Sequence, residues 1–137
     1  MAIPFLACMA LVAATYHLPP RVLPSIQRVE GGQVGSVSRN RDGSEDLGVM
    51  QVNTRWLEPL ARRSRLPPAE VRRRLIDDAC FNIAAAGVIM RLQLEETGGN
   101  LMQAIGNYHS HTPALNQRYR EAVWRAAARL FAAAPQS

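Results

Sequence analysis

Between two stretches of helical character lies a segment that cannot continue either of them. From Gly31 to Leu47 the chain carries Gly31, Gly32, Gly35 and Gly43 among Asn and Asp residues, a loop composition with room for a small hairpin. A mostly helical chain broken in this way must wrap its helices around the loop. Glu30 stands at the junction, the last residue of an apolar run in which Val22, Leu23, Ile26 and Val29 recur at helical spacing. Apolar walls at such a place disfavour the charged carboxylate, which is how a protein keeps a general acid protonated near neutral pH. The loop leads into Gly48-Val49-Met50-Gln51-Val52-Asn53. This stretch reads as one wall of a ligand cleft: Gly48 permits close approach to the backbone, Met50 offers an apolar contact, and Gln51 and Asn53 offer amide donors and acceptors.

The remaining pattern predicts helices joined by short turns and little strand. A first helix is expected from about Ile3 to His17, ended by Pro19-Pro20. Asn53 or Thr54 is expected to cap a helix carrying Trp56, Leu57 and Leu60, and a short helix follows Pro67-Pro68. Asp77 is the expected cap of a long apolar helix reaching about Glu96, stopped by Gly98-Gly99. Asn100 opens a helix toward Tyr108. Thr112-Pro113 opens the last, on which Leu115, Tyr119, Ala122, Ala126 and Leu130 form a stripe. The tail from Ala132 is expected to fray.

At 137 residues, with 47% apolar and 20% charged residues, the chain fits one domain, 1–137 with its core in about 5–131, and is not a disordered protein. The 16 basic residues exceed the 11 acidic ones for a net charge of +5, which favours polyanions of any kind. Arg62-Arg63-Ser64-Arg65 and Arg72-Arg73-Arg74 read as a solvated face. No apolar stretch reaches the roughly 18 residues of a membrane span. Ala2 to Ala14 is apolar enough for a signal-peptide core, but no Lys or Arg precedes it, so a buried helix is the better reading. His17, His109 and His111 with Cys8 and Cys80 lack metal-ligand spacing, so neither a metal nor another cofactor is expected. Ser110 between two histidines lacks the nucleophile elbow of a hydrolase triad.

Three segments in order resemble a soluble lytic transglycosylase domain: Glu30-Gly31-Gly32, the run from Asn40 through Gly48-Val49-Met50-Gln51-Val52-Asn53, and Ala104-Ile105-Gly106-Asn107-Tyr108-His109. The resemblance covers about Phe5 to Phe131 and is nearest to the small enzymes that accompany secretion, conjugation or pilus machinery. Four places depart from the family pattern. Gly31 stands where Ser is usual, Val49 where Leu is usual and His109 where Asn is usual, and after Asn82-Ile83 the expected Gly comes one place late, at Gly87.

The resemblance implies a mainly α, lysozyme-like domain with the glycine loop lining its cleft. It implies cleavage of the β-1,4 bond between N-acetylmuramic acid and N-acetylglucosamine in peptidoglycan, without water, to a 1,6-anhydro sugar. Glu30 and Tyr108 would be the catalytic residues, and Gly48, Met50, Gln51, Asn53 and His109 would contact substrate. Asp42, Glu45 and Asp46 would order the loop, Asp46 by accepting backbone N–H groups. The protein would be a periplasmic monomer acting on glycan strands, with components of a secretion, conjugation or pilus machine as possible associates. Outside the cytoplasm disulfides persist, so Cys8 and Cys80 are expected to be joined. Two other functions remain open: a peptidoglycan-binding or assembly module whose catalysis has lapsed, favoured by Gly31 and His109, and a basic helical nucleic-acid binder, favoured by charge alone. Against the second, no aromatic residue lies among the arginine runs.

Overall fold

The computed structural model describes residues 3–132, and the end of the tail that was expected to fray, 133–137, lies outside the described residues. Among the described residues seven α-helices and a small sheet make one domain of mainly helical, lysozyme-like architecture. Helices α1 (Leu6–Tyr16) and α2 (Val22–Glu30) lead into a three-stranded antiparallel sheet, β1 (Val37–Arg39), β2 (Glu45–Leu47) and β3 (Val52–Asn53), in that spatial order. Then follow α3 (Leu57–Ser64), α4 (Pro68–Asp77), α5 (Ala79–Glu96), α6 (Leu101–His109) and α7 (Pro113–Leu130). Among the described residues no helix is long and apolar enough to cross a membrane.

The ends of these elements follow from local chemistry. Asn100 Oδ1 accepts from Gln103 N at 3.1 Å to start α6, and Pro68 and Pro113 sit in first turns, where a missing N–H costs nothing. Two expectations need correction. Asp78, not Asp77, caps α5 by accepting from Phe81 N at 3.0 Å; Asp77 is still helical, at the end of α4. Asn53 does act as a cap, accepting from Arg55 N at 2.9 Å, but the turn it starts is a single 3-10 turn, Thr54–Trp56, which runs on into α3.

The core is built around α5, whose Ile83, Ala86, Ile89 and Met90 are buried with Leu23 and Ile26 of α2 and Leu47, Val49 and Met50 of the loop wall. Helix α1 does form, between Leu6 and Tyr16, and lies on α5. It can approach closely because of Gly87: a Cβ there would collide with Val12 and crowd Tyr16. Cys8 of α1 and Cys80 of α5 are bridged, with Cα atoms 5.6 Å apart, in the ordinary span of a disulfide.

The arginine runs are less idle than a solvated face. Arg72 holds Glu45 with both Nε and Nη2, at 3.1 and 2.9 Å, and so ties α4 to β2. Glu70 accepts from Arg73 and Arg74 on its own helix, and these bonds hold its pKa down at about 2.

Candidate active site

Glu30 is the last residue of α2, and Gly31 ends the helix by turning the backbone to a φ of +67°, where a side chain is strained. Glycine is therefore well suited to the place where Ser is usual. The next residue, Gly32, touches the far side of the loop: a Cβ on it would overlap the carbonyl oxygens of Gly48 and Val49. This contact closes the loop at its base and brings the Met50–Asn53 wall beside the end of α2.

The carboxyl of Glu30 is half-buried, and burial pushes its pKa up to about 7, with the charge of Asp46 adding to the rise. One interaction opposes this. Tyr119 Oη donates to Glu30 Oε2 at 2.6 Å, a bond that favours the carboxylate. Burial and the neighbouring Glu30 hold the Tyr119 hydroxyl well above its ordinary pKa, so it remains a donor throughout the physiological range. The His109 ring stacks on Tyr119 with centroids 5.0 Å apart and planes 12° from parallel. His109, in the place of the usual Asn, thereby covers the residue that holds Glu30.

Tyr119 was not singled out by sequence. It belongs to the apolar stripe of α7, and its spacing there reads as core. Tyr108 reaches the cleft as expected, and its buried hydroxyl donates to the carbonyl of Met50 at 2.8 Å. Tyr108 thus fixes the loop wall. Its ring lies near that of Tyr119, at 6.5 Å between centroids.

The wall itself divides into two kinds of residue. Gly48 is buried, with a φ of +66°, and the space where its Cβ would lie is filled by Leu75 O and the Asn82 side chain. It packs against α4 and α5 and does not line the cleft. Met50 is fully buried, so its side chain belongs to the core and offers no ligand contact. The backbone between them is held by Asn82, whose Nδ2 donates to Leu47 O and Leu75 O, both at 2.8 Å, while its Oδ1 accepts from Met50 N at 2.8 Å. Two of these bonds hold the wall and the third ties it to α4, so both ends of this buried amide are satisfied.

Gln51, Asn53, Tyr108 and His109 do line a cleft of about 240 Å³ with Glu30, together with Asn40, Asp42, Ser44, Asp46, Arg55, Trp56 and Ile89. Gln51, at a φ of +53°, donates from Nε2 to Gly48 O at 3.0 Å, so its amide also braces the wall. Of the three loop carboxylates, Asp42 accepts from Ser44 N and Oγ and is held below its ordinary pKa by those bonds. Glu45 is taken by Arg72. Asp46 accepts from the side-chain amides of Asn53 and Asn40, at 3.0 and 3.2 Å, and not from backbone N–H groups as expected, because the opposed β2–β3 pair puts Asn53 beside it.

The two tyrosines should separate on substitution. Tyr119→Phe removes a bond that lowers the Glu30 pKa, so Glu30 should titrate at still higher pH and the alkaline limb of any activity carried by its acid form should move up. Tyr108→Phe leaves Met50 O without its donor in a buried place, which should lower stability by about 1 kcal/mol or more and leave that limb in place. Activity profiles between pH 5 and 9, with thermal melts of both variants, check this. An unmoved limb in Tyr119→Phe would show that its bond to Glu30 has no part in the titration.

Comparison with known proteins accords with this geometry. The chain is similar to the protein named invasion protein IagB in two strains of Salmonella typhimurium and in Salmonella typhi, being 25% identical over 122 residues that cover 85% of this chain and 72% of each relative. The family model described as the transglycosylase SLT domain matches residues 8–131, from the bridged Cys8 to just past the end of α7, and the chain therefore belongs to the transglycosylase SLT family.

Proposed function

We propose that the protein is a peptidoglycan lytic transglycosylase in which Glu30 acts first as acid and then as base. The observation that carries this reading is a carboxyl with its pKa pushed up to about 7, standing in a cleft of glycan-like polarity at the end of α2. In its protonated form Glu30 gives its proton to the glycosidic oxygen between N-acetylmuramic acid and N-acetylglucosamine, and the C1–O bond breaks. The carboxylate so formed takes the proton from the C6 hydroxyl of the same muramic residue as that oxygen bonds to C1. The product is a 1,6-anhydro ring, Glu30 is reprotonated, and no water is consumed. Because the attacking hydroxyl is already attached to the reacting sugar, the second step gains from effective concentration.

Tyr119 orients Glu30 and supports its charged form between the two proton transfers. Tyr108 is the positioning residue of the wall, and Gln51, Asn53 and His109 border the bound strand. Family membership supports a cell-wall substrate and hence a place outside the cytoplasm, which we take to be the periplasm. Local opening of the wall for a secretion or conjugation apparatus is the accompanying proposal.

Digestion of purified peptidoglycan, followed by mass measurement of the fragments, tests the reaction. Muropeptides should be lighter by one water than those a hydrolytic lysozyme releases. Ordinary reducing ends would instead indicate hydrolysis, with one of the loop carboxylates as a second catalytic group. Binding of glycan without cleavage would favour the lapsed module.

A further inference from the structure

Away from the cleft, a second and larger depression of about 570 Å³ lies where the start of α2, α6 and α7 meet. Pro19, Val22, Leu101, Ile105, Trp124 and Ala127 give it an almost wholly apolar lining, and none of its lining residues also lines the cleft. Trp124 is 66% exposed at this place. A large aromatic left in water beside an apolar slot is the usual mark of a docking surface.

The charges around it indicate what fits. Among the described residues Arg21 is the one charged side chain of the lining, and no carboxylate lines it. Arg28 stands two turns further along the same edge of α2, and Arg120 one turn before Trp124 on α7. Among the described residues none of these three is in an ion pair, and Glu121, the carboxylate on the exposed part of α7, accepts from Gln117 at 3.2 Å. A second copy of this chain is a poor occupant, since a two-fold contact would set these arginines against each other. A lipid surface is a poor one too, because the slot is concave and a bilayer is best met by a convex apolar ridge.

We propose that this groove is the docking site for an acidic amphipathic helix of a partner protein, whose apolar ridge fills the slot against Trp124 while its carboxylates meet Arg21, Arg28 and Arg120. This is helix-in-groove recognition, with the apolar anchors supplying affinity and the charges selecting orientation and partner.

Two labelled helical peptides with the same Leu and Phe ridge, one with Glu and one with Lys on its polar face, test it by fluorescence anisotropy against the whole chain. The Glu peptide should bind, and Trp124→Ala should weaken it at least about tenfold while leaving glycan cleavage and the melting temperature unchanged. The double variant Arg21→Glu/Arg120→Glu should reverse the preference between the peptides. Equal binding of both peptides, no binding of the Glu peptide, or undiminished binding by Trp124→Ala would overturn the proposal. So would a dimer in solution, or attachment to anionic phosphatidylglycerol vesicles in place of peptide, if Trp124→Ala abolished it.

Discussion

Glu30→Gln should reduce release of muropeptides from peptidoglycan by about 10²-fold or more and leave the fold intact. The amide keeps the shape of the side chain and can still meet Tyr119 Oη, but it has no acid proton to give to the glycosidic oxygen. Its effect on stability distinguishes this from general damage. The folded-state pKa of Glu30 lies at about 7, above the ordinary 4.5, so the folded protein holds this proton more tightly than the unfolded chain does. The cost of burying the charged form is absent below pH 4.5, grows as pH rises from there, and is complete above about 7. An uncharged amide avoids it. E30Q should therefore melt at or above the wild-type temperature at pH 8, and show little or no advantage at pH 4. Turnover like that of the wild type would remove Glu30 from the mechanism; a lower melting temperature at both pH values would mean that the amide disturbs the site.

The second large effect belongs to the bridge between Cys8 and Cys80. It closes 72 residues of sequence, and the chain-entropy estimate for such a loop is about 4 kcal/mol. The double substitution Cys8→Ala/Cys80→Ala should accordingly lower the melting temperature by roughly 10–15 °C. Helix α1 buries Met9, Val12 and Ala13, while its Leu6 and Leu11 are exposed, so without the bridge a short apolar contact is left to hold it on α5. Loss of the bridge should thus appear first as faster amide exchange in α1. Thiol alkylation of exported protein, with and without reductant, checks the bridge itself: two free thiols in the native, exported form would overturn it.

What the sequence made legible was chiefly what is decided within a few residues. Glu30 at the end of α2, Asn100 at the start of α6 and Pro113 at the start of α7 were all expected, since each depends on its immediate neighbours. Asp77 and Asp78 carry the same side chain one place apart, and only the path of the chain between α4 and α5 tells them apart. Within the wall, residue type did not show which side chains face the cleft. Gly48 and Met50 turn inward because Asn82 and Tyr108 hold the wall's backbone from beneath, and those partners come from α5 and α6. Tyr119 is the least legible of all, being separated from Glu30 by 89 residues and having the spacing of a core aromatic.

The contact of Gly32 with the carbonyls of Gly48 and Val49 has a consequence for engineering and for divergence. It fastens the two stems of the loop to one another and to the helix that carries Glu30, while the tip at Asn40–Ser44 is held mostly by bonds within itself. Lengthening a surface loop adds little entropy cost once its stems are fixed. With Asn40 and Ser44 kept, because they bond Asp46 and Asn53 of the wall, the turn between them is a replaceable module: grafts of different length exchanged there would vary how far the protein grips along a glycan, while the acid and its wall keep their mutual geometry.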